Sequence, residues 1–181
     1  MPQVEIFTPT GVVSGTTARS TVGSDARGAA APMPVDASRW YPLDGSEPQR
    51  RGSITVAPDE ILVVVLADPA FTIHASWYPI ELSVGPYHLD ARLPVAPGFD
   101  PARALARPTG AFVTLRDVSV SLLGRSDAGV AERGHAHVNR YAVDHIRSDL
   151  MLGFFFPGAS LEPLPDQGAM PQVMAMRAAP A

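Results

Sequence analysis

The chain contains no cysteine and no lysine. Without thiols it builds neither a disulfide framework nor a thiolate metal centre. All 14 of its basic side chains are therefore Arg. Together with abundant Ala, Pro and Gly, that composition is what a GC-rich bacterial genome produces and is not itself a functional signal. Charge is scarce: 18% of residues are charged, the net charge is −4, and no basic cluster exceeds the pair Arg50-Arg51. A nucleic-acid backbone needs several cations to displace its counterions, so the balance argues against a nucleic-acid partner. Long hydrophobic runs are missing too. The longest, residues 61–67 and 150–156, fall far short of the roughly 20 residues of a membrane-spanning helix. The start, Met1-Pro2-Gln3-Val4-Glu5, lacks the basic and apolar regions of a secretory signal, which makes the cytoplasm the expected compartment. Neither glycine-rich phosphate loop occurs, nor does a Gly-x-Ser-x-Gly nucleophile elbow. No cofactor is expected, and the sequence points away from an enzyme.

What is present suits short strands. The 181 residues are 46% hydrophobic, enough for a packed core, yet 19 are Pro and 15 are Gly. Pro removes a helical donor and Gly costs backbone entropy, so long helices are disfavoured. Residues 20–34, 94–110 and 157 onward read as irregular. The second of these holds one short helical possibility, residues 100–106, where Asp100 precedes Pro101 at a first helical position. Between them lie strand-like segments. Residues 4–7 and 12–17 flank Pro9-Thr10-Gly11, and residues 80–84 and 87–93 flank Gly85-Pro86. Such turn signals between apolar runs mark hairpins. Further strands are expected at 53–56, 61–66, 111–115, 118–122, 135–142 and 146–150.

These segments repeat. Val4-Glu5-Ile6 aligns with Ile80-Glu81-Leu82, Val13 falls opposite Leu89, and Gly15 opposite Ala91. Further along, residues 40–44 sit opposite 112–116. Ala57-Pro58-Asp59-Glu60-Ile61 sits opposite Ala142-Val143-Asp144-His145-Ile146, sharing Ala-x-Asp-x-Ile. The order hairpin, loop, strand, loop, strand, short turn, strand resembles the small β-barrels of the Sm-like and SH3-like families. Residues 111–115 and 142–146 carry that resemblance in the second half, and 40–43 with 57–61 carry it in the first. The resemblance implies an all-β protein of two tandem small barrels with at most one short helix. The first would span residues 1–67, the second 78–156, and 157–181 would form an extended or disordered tail. The residues by which Sm-like proteins contact nucleotides have no match, so the resemblance does not transmit RNA binding.

A barrel of about sixty residues buries little surface and is marginal alone. Packing two together or pairing chains remedies that. The runs at 61–66 and 150–156 are apolar on both faces, as strands covered on both sides are. Each is therefore expected at a contact between domains or subunits, and a homo-oligomer or protein partner is the expected association.

The candidate chemistry centres on histidine. His135-Ala136-His137 would place two imidazoles on one face of a strand, because strand side chains alternate. With His145 or Asp144 nearby, these would make a Zn²⁺ or Ni²⁺ site, with His135, His137 and His145 as the chosen ligands. The competing reading is a solvated edge strand. Glu5 and Glu81 occupy equivalent positions and read as outward members of alternating strands. Asp59 and Asp144 read as turn residues that accept local backbone N–H groups.

Overall fold

The computed structural model describes residues 1–23, 30–66, 76–95, 110–125, 129–150 and 152–164. The possible helix at 100–106 lies outside them. The described residues are all-β: eleven strands and one short 3₁₀ turn, Pro58–Glu60. The strands are β1 Gln3–Thr8, β2 Gly11–Thr16, β3 Met33–Pro42, β4 Gln49–Val56, β5 Val63–Val65, β6 Ser76–Val84, β7 Tyr87–Val95, β8 Phe112–Leu122, β9 Ala131–Asn139, β10 Val143–Arg147 and β11 Ser160–Glu162. They form one open sheet in the order β11-β10-β6-β7-β8-β9-β5-β1-β2-β3-β4. None of the described helical turns is long and apolar enough to cross a membrane.

The order contains a repeat. β5-β1-β2-β3-β4 in the first half matches β10-β6-β7-β8-β9 in the second. The hairpin registers coincide as the sequence repeat requires. Ile6 faces Val13 as Leu82 faces Leu89, and Glu5 faces Ser14 as Glu81 faces Asp90. Beyond the hairpins, the sequence alignment needs correcting. Val13 faces Trp40 where Leu89 faces Val120, so Trp40 is equivalent to Val120 and not to Phe112. Ile6 faces Val64 where Leu82 faces Ile146, so Val64 and not Ile61 is the counterpart of Ile146. The two third strands share a bulge at equivalent positions. Ala37 and Asp117 both take a left-handed backbone, at φ 49° and 50°, where the register with the preceding strand shifts. Such a residue adds one position to its own strand and bends it.

Alternation explains which faces are buried. In β7, Tyr87, Leu89, Ala91, Leu93 and Val95 point inward while Asp90 and Arg92 face solvent, the period of two that a half-buried strand requires. The buried side chains form two clusters. The smaller joins Val4, Ile6, Val13, Met33, Val35, Val56, Ile61, Val64 and Leu66 of the first half. The larger fills the second half and draws in Phe7, Leu62 and Val63 from the first. Tyr87 ties the halves further. Its ring stands edge-on to Phe7, with centroids 5.3 Å apart, and its hydroxyl proton is shared between the carbonyls of Thr8 and Gly11 at 2.9 and 3.1 Å. Burial holds that hydroxyl well above the ordinary tyrosine range.

The two apolar runs behave differently. Residues 61–66 are covered on both sides as expected, with β5 between β1 and β9. The run 150–156 is no strand: its described residues form consecutive turns that drop Leu150, Leu152 and Phe156 into the larger cluster and leave Phe154 half exposed. An apolar run reports burial, and buried turns satisfy it as well as a strand does. Past it, the described part of the tail supplies β11, which pairs parallel with β10.

Candidate functional site

His135 and His137 lie on β9, on one face as the alternation required, with ring centroids 6.0 Å apart at 74°. β9 is not an edge strand: β8 flanks it on one side and β5 on the other. His135 is buried at 6% exposure, and its Nε2 lies 2.6 Å from the Leu66 carbonyl. That contact puts the proton on Nε2, which donates to the carbonyl. His137 meets the Thr114 hydroxyl through Nδ1 at 3.0 Å. Burial, and secondarily the neighbouring His135, lowers its pKa from 6.5 to about 4. His145 lies on β10, separated from β9 in the sheet order by β6, β7 and β8. It binds Ser160 Oγ through Nδ1 at 2.8 Å and Glu162 Oε2 through Nε2 at 3.2 Å.

Among the described residues, the set whose ligand atoms converge within 4.8 Å is Glu81, His88 and Asp90, not the three histidines chosen from sequence. That set follows from the hairpin register, which sets Glu81 opposite Asp90 and His88 opposite Ser83. Its charges are already engaged. Arg147 reaches Glu81 at 3.0 Å, and His88 Nε2 lies 3.4 Å from Asp90. A cation would compete with the guanidinium for Glu81.

An open cleft of about 580 Å³ lies beside β1 and β9, with Glu5, Ser14, Leu66, Arg133 and His135 in its lining. Arg133 grips both oxygens of Glu5, through Nε at 2.6 Å and Nη2 at 3.0 Å, the two-point geometry a planar guanidinium favours. Glu5 and Glu81 are thus equivalent in position but not in partner. Arg133 comes to Glu5 from the other half of the chain, whereas Arg147 faces Glu81 directly across the β10–β6 ladder. The polar groups of the cleft, Glu5, Arg133 and His135, act as fasteners between β9, β5 and β1.

What they fasten is the joint between the halves. β5 pairs antiparallel with β9, with Val63 opposite Val138 and Val64 opposite His137. Asn139 extends the contact, its amide N–H donating to the Leu62 carbonyl and its side chain to the Ile61 carbonyl, both at 2.9 Å. By the repeat, β5 corresponds to β10 and β9 to β4. Those counterparts lie at the two ends of the sheet. Among the described residues β4 is paired on one side only, with β3, and β10 carries β11 on its outer side. Among the described residues, the outer side of β4 therefore presents backbone groups with no strand paired to them. The chain matches no family model, no curated protein and no solved structure.

Proposed function

We propose that this chain is a non-enzymatic binding and assembly module, made of two small β-barrels of the Sm-like or SH3-like kind, which acts in the cytoplasm by offering strand edges to protein partners. The observation that carries this reading is the β5–β9 joint. It sets two halves of identical strand order side by side through backbone pairing, so this chain already joins one such unit to another. Each half supplies most of a buried cluster of its own, as a small closed barrel does. An unpaired strand edge is a template for another chain, and main-chain pairing of this kind gives affinity without a preformed pocket. The ionisable groups of the cleft and of the Glu81 cluster are engaged with one another, which favours a structural role over catalysis.

Native mass spectrometry of the untagged protein, purified at moderate salt, tests the reading. Multimers of the chain, or a stoichiometric protein partner, are the expected result. Added mass from a metal ion or from nucleic acid would overturn it in favour of a metal-binding protein or an RNA-binding regulator.

A further inference from the structure

Resting on that assembly reading, we propose that the partner is a second copy of this chain, that β4 of one copy pairs antiparallel with β10 of the next, and that β11 is a built-in strap that covers β10 until it is displaced.

The repeat fixes the register. Phe7 faces Val63 where Ser83 faces His145, and Ile6 faces Val64 where Leu82 faces Ile146. Thr114 faces His137 where Pro34 faces Thr55, and Val113 faces Val138 where Met33 faces Val56. Within the chain Val63 lies opposite Val138 and Val64 opposite His137. Between copies the same joint sets His145 opposite Val56 of the second copy, and Ile146 opposite its Thr55. Nothing in β4 blocks this pairing. It contains no Pro, the residue that guards an edge by removing a donor. The three residues involved, Ile54, Thr55 and Val56, form a regular ladder with β3, clear of the register shifts nearer Gly52.

The strap occupies the groups the joint would use. At the inner joint the Leu62 carbonyl accepts the Asn139 amide. The corresponding carbonyl at the outer edge is that of Asp144, and it accepts the Ser160 hydroxyl of β11 at 3.2 Å. β11 continues the coverage with Ser160, Leu161 and Glu162 opposite His145, Ile146 and Arg147, and its Glu162 carbonyl accepts the Ser148 amide at 3.0 Å. Its hold is shallow. β11 is three residues long and exposed throughout, and it pairs parallel, the less stable arrangement per residue. Besides the Ser160–Asp144 bond, its side-chain anchors are the exposed contacts of Glu162 with His145 and Arg147, at 3.2 and 3.3 Å, and the Ser160–His145 hydrogen bond. Surface contacts of this kind contribute little. The strap competes by proximity, since a short tether gives a local concentration on the order of millimolar. A β4–β10 contact is head-to-tail, so it propagates into a ring or an open chain rather than stopping at a two-fold dimer.

Two measurements test this. The first compares sedimentation of the wild-type chain with two strap variants, Leu161→Pro and the double variant Ser160→Ala with Glu162→Ala. Both alter residues exposed in the folded chain, and circular dichroism checks that each remains folded. The second exploits the absence of native cysteine. A His145→Cys chain and a Val56→Cys chain, each also carrying Leu161→Pro, are mixed under mild oxidation, with Ser53→Cys replacing Val56→Cys as the register control. Expected are at least tenfold tighter self-association of the strap variants, species beyond the dimer, and a disulfide between the His145→Cys and Val56→Cys chains but not with the Ser53→Cys chain. Multimers without that disulfide would overturn the inference and leave the assembly reading standing. Strap variants that remain monomeric at the wild-type level would overturn it as well. In that case a stoichiometric protein partner in the native mass spectrum keeps the broader reading, and bound metal or nucleic acid removes it.

Discussion

Arg133 on β9 holds Glu5 on β1 by a two-point ion pair, at 2.6 and 3.0 Å, across the joint between the two halves. Both side chains are about 30% exposed, so solvent screens part of their attraction. Arg133→Met and Glu5→Gln are each expected to lower stability by about 1 kcal/mol, with the double variant losing less than the two losses combined. Urea unfolding of the four proteins gives the coupling directly. Additive losses would show that the pair does not fasten the joint.

Gly15 faces the β3 bulge, and its counterpart in the second half is Ala91. A Cβ on Gly15 would lie 2.6 Å from the Asp36 carbonyl oxygen and 2.6 Å from Val35 Cγ1. A backbone oxygen cannot swing aside as a flexible side chain can. Gly15→Ala is expected to cost about 2 kcal/mol or more, in the range of overpacked cores. Ala91→Gly is expected to cost less, about 1 kcal/mol, through backbone entropy and a lost buried methyl. Thermal unfolding midpoints of the two variants check the order.

His137 makes stability depend on pH in one direction. Its pKa falls from 6.5 to about 4 in the folded chain, chiefly because burial disfavours the charged ring and secondarily because His135 is adjacent. The unfolded chain therefore takes up the proton first as pH drops. The contribution is complete above about pH 6.5 and is lost as pH falls toward 4, with a ceiling of about 3 kcal/mol. His137→Gln is expected to flatten the dependence between pH 6.5 and 4.5, measured as the urea midpoint at each pH. Parallel curves for the variant and the wild type would show that His137 does not carry the effect.

The hairpins were legible in the sequence because their determinants are local. Gly11 and Gly85-Pro86 mark the turns, and two-residue alternation marks β7. The relation of Val4, Glu5 and Ile6 to Ile80, Glu81 and Leu82 follows from the same short range. Legibility failed beyond the hairpins, because residues 20–34 and 94–110 carry no periodicity to set the offset of the strands that follow, and no sequence signal marks Ala37 or Asp117 as left-handed. The central position of β9 was equally hidden. Its pairing with β5 joins residues far apart in sequence, so a strand carrying two histidines read as a solvated edge. β11 escaped notice because three exposed residues have no periodicity. The Glu81, His88 and Asp90 cluster was within reach of the hairpin register, whereas the gathering of Glu5, Arg133 and His135 depends on the joint itself.

Amide hydrogen exchange at the outer strands tests the central claim, assembly through the free edge, most directly. At low concentration the amides of Ile54–Val56 that face away from β3 are expected to exchange rapidly. As the chain carrying Leu161→Pro is concentrated, those amides should become protected together with the outer amides of Val143–Arg147, while β7 stays unchanged. Protection appearing elsewhere, or an edge that exchanges equally fast at every concentration, would contradict the account.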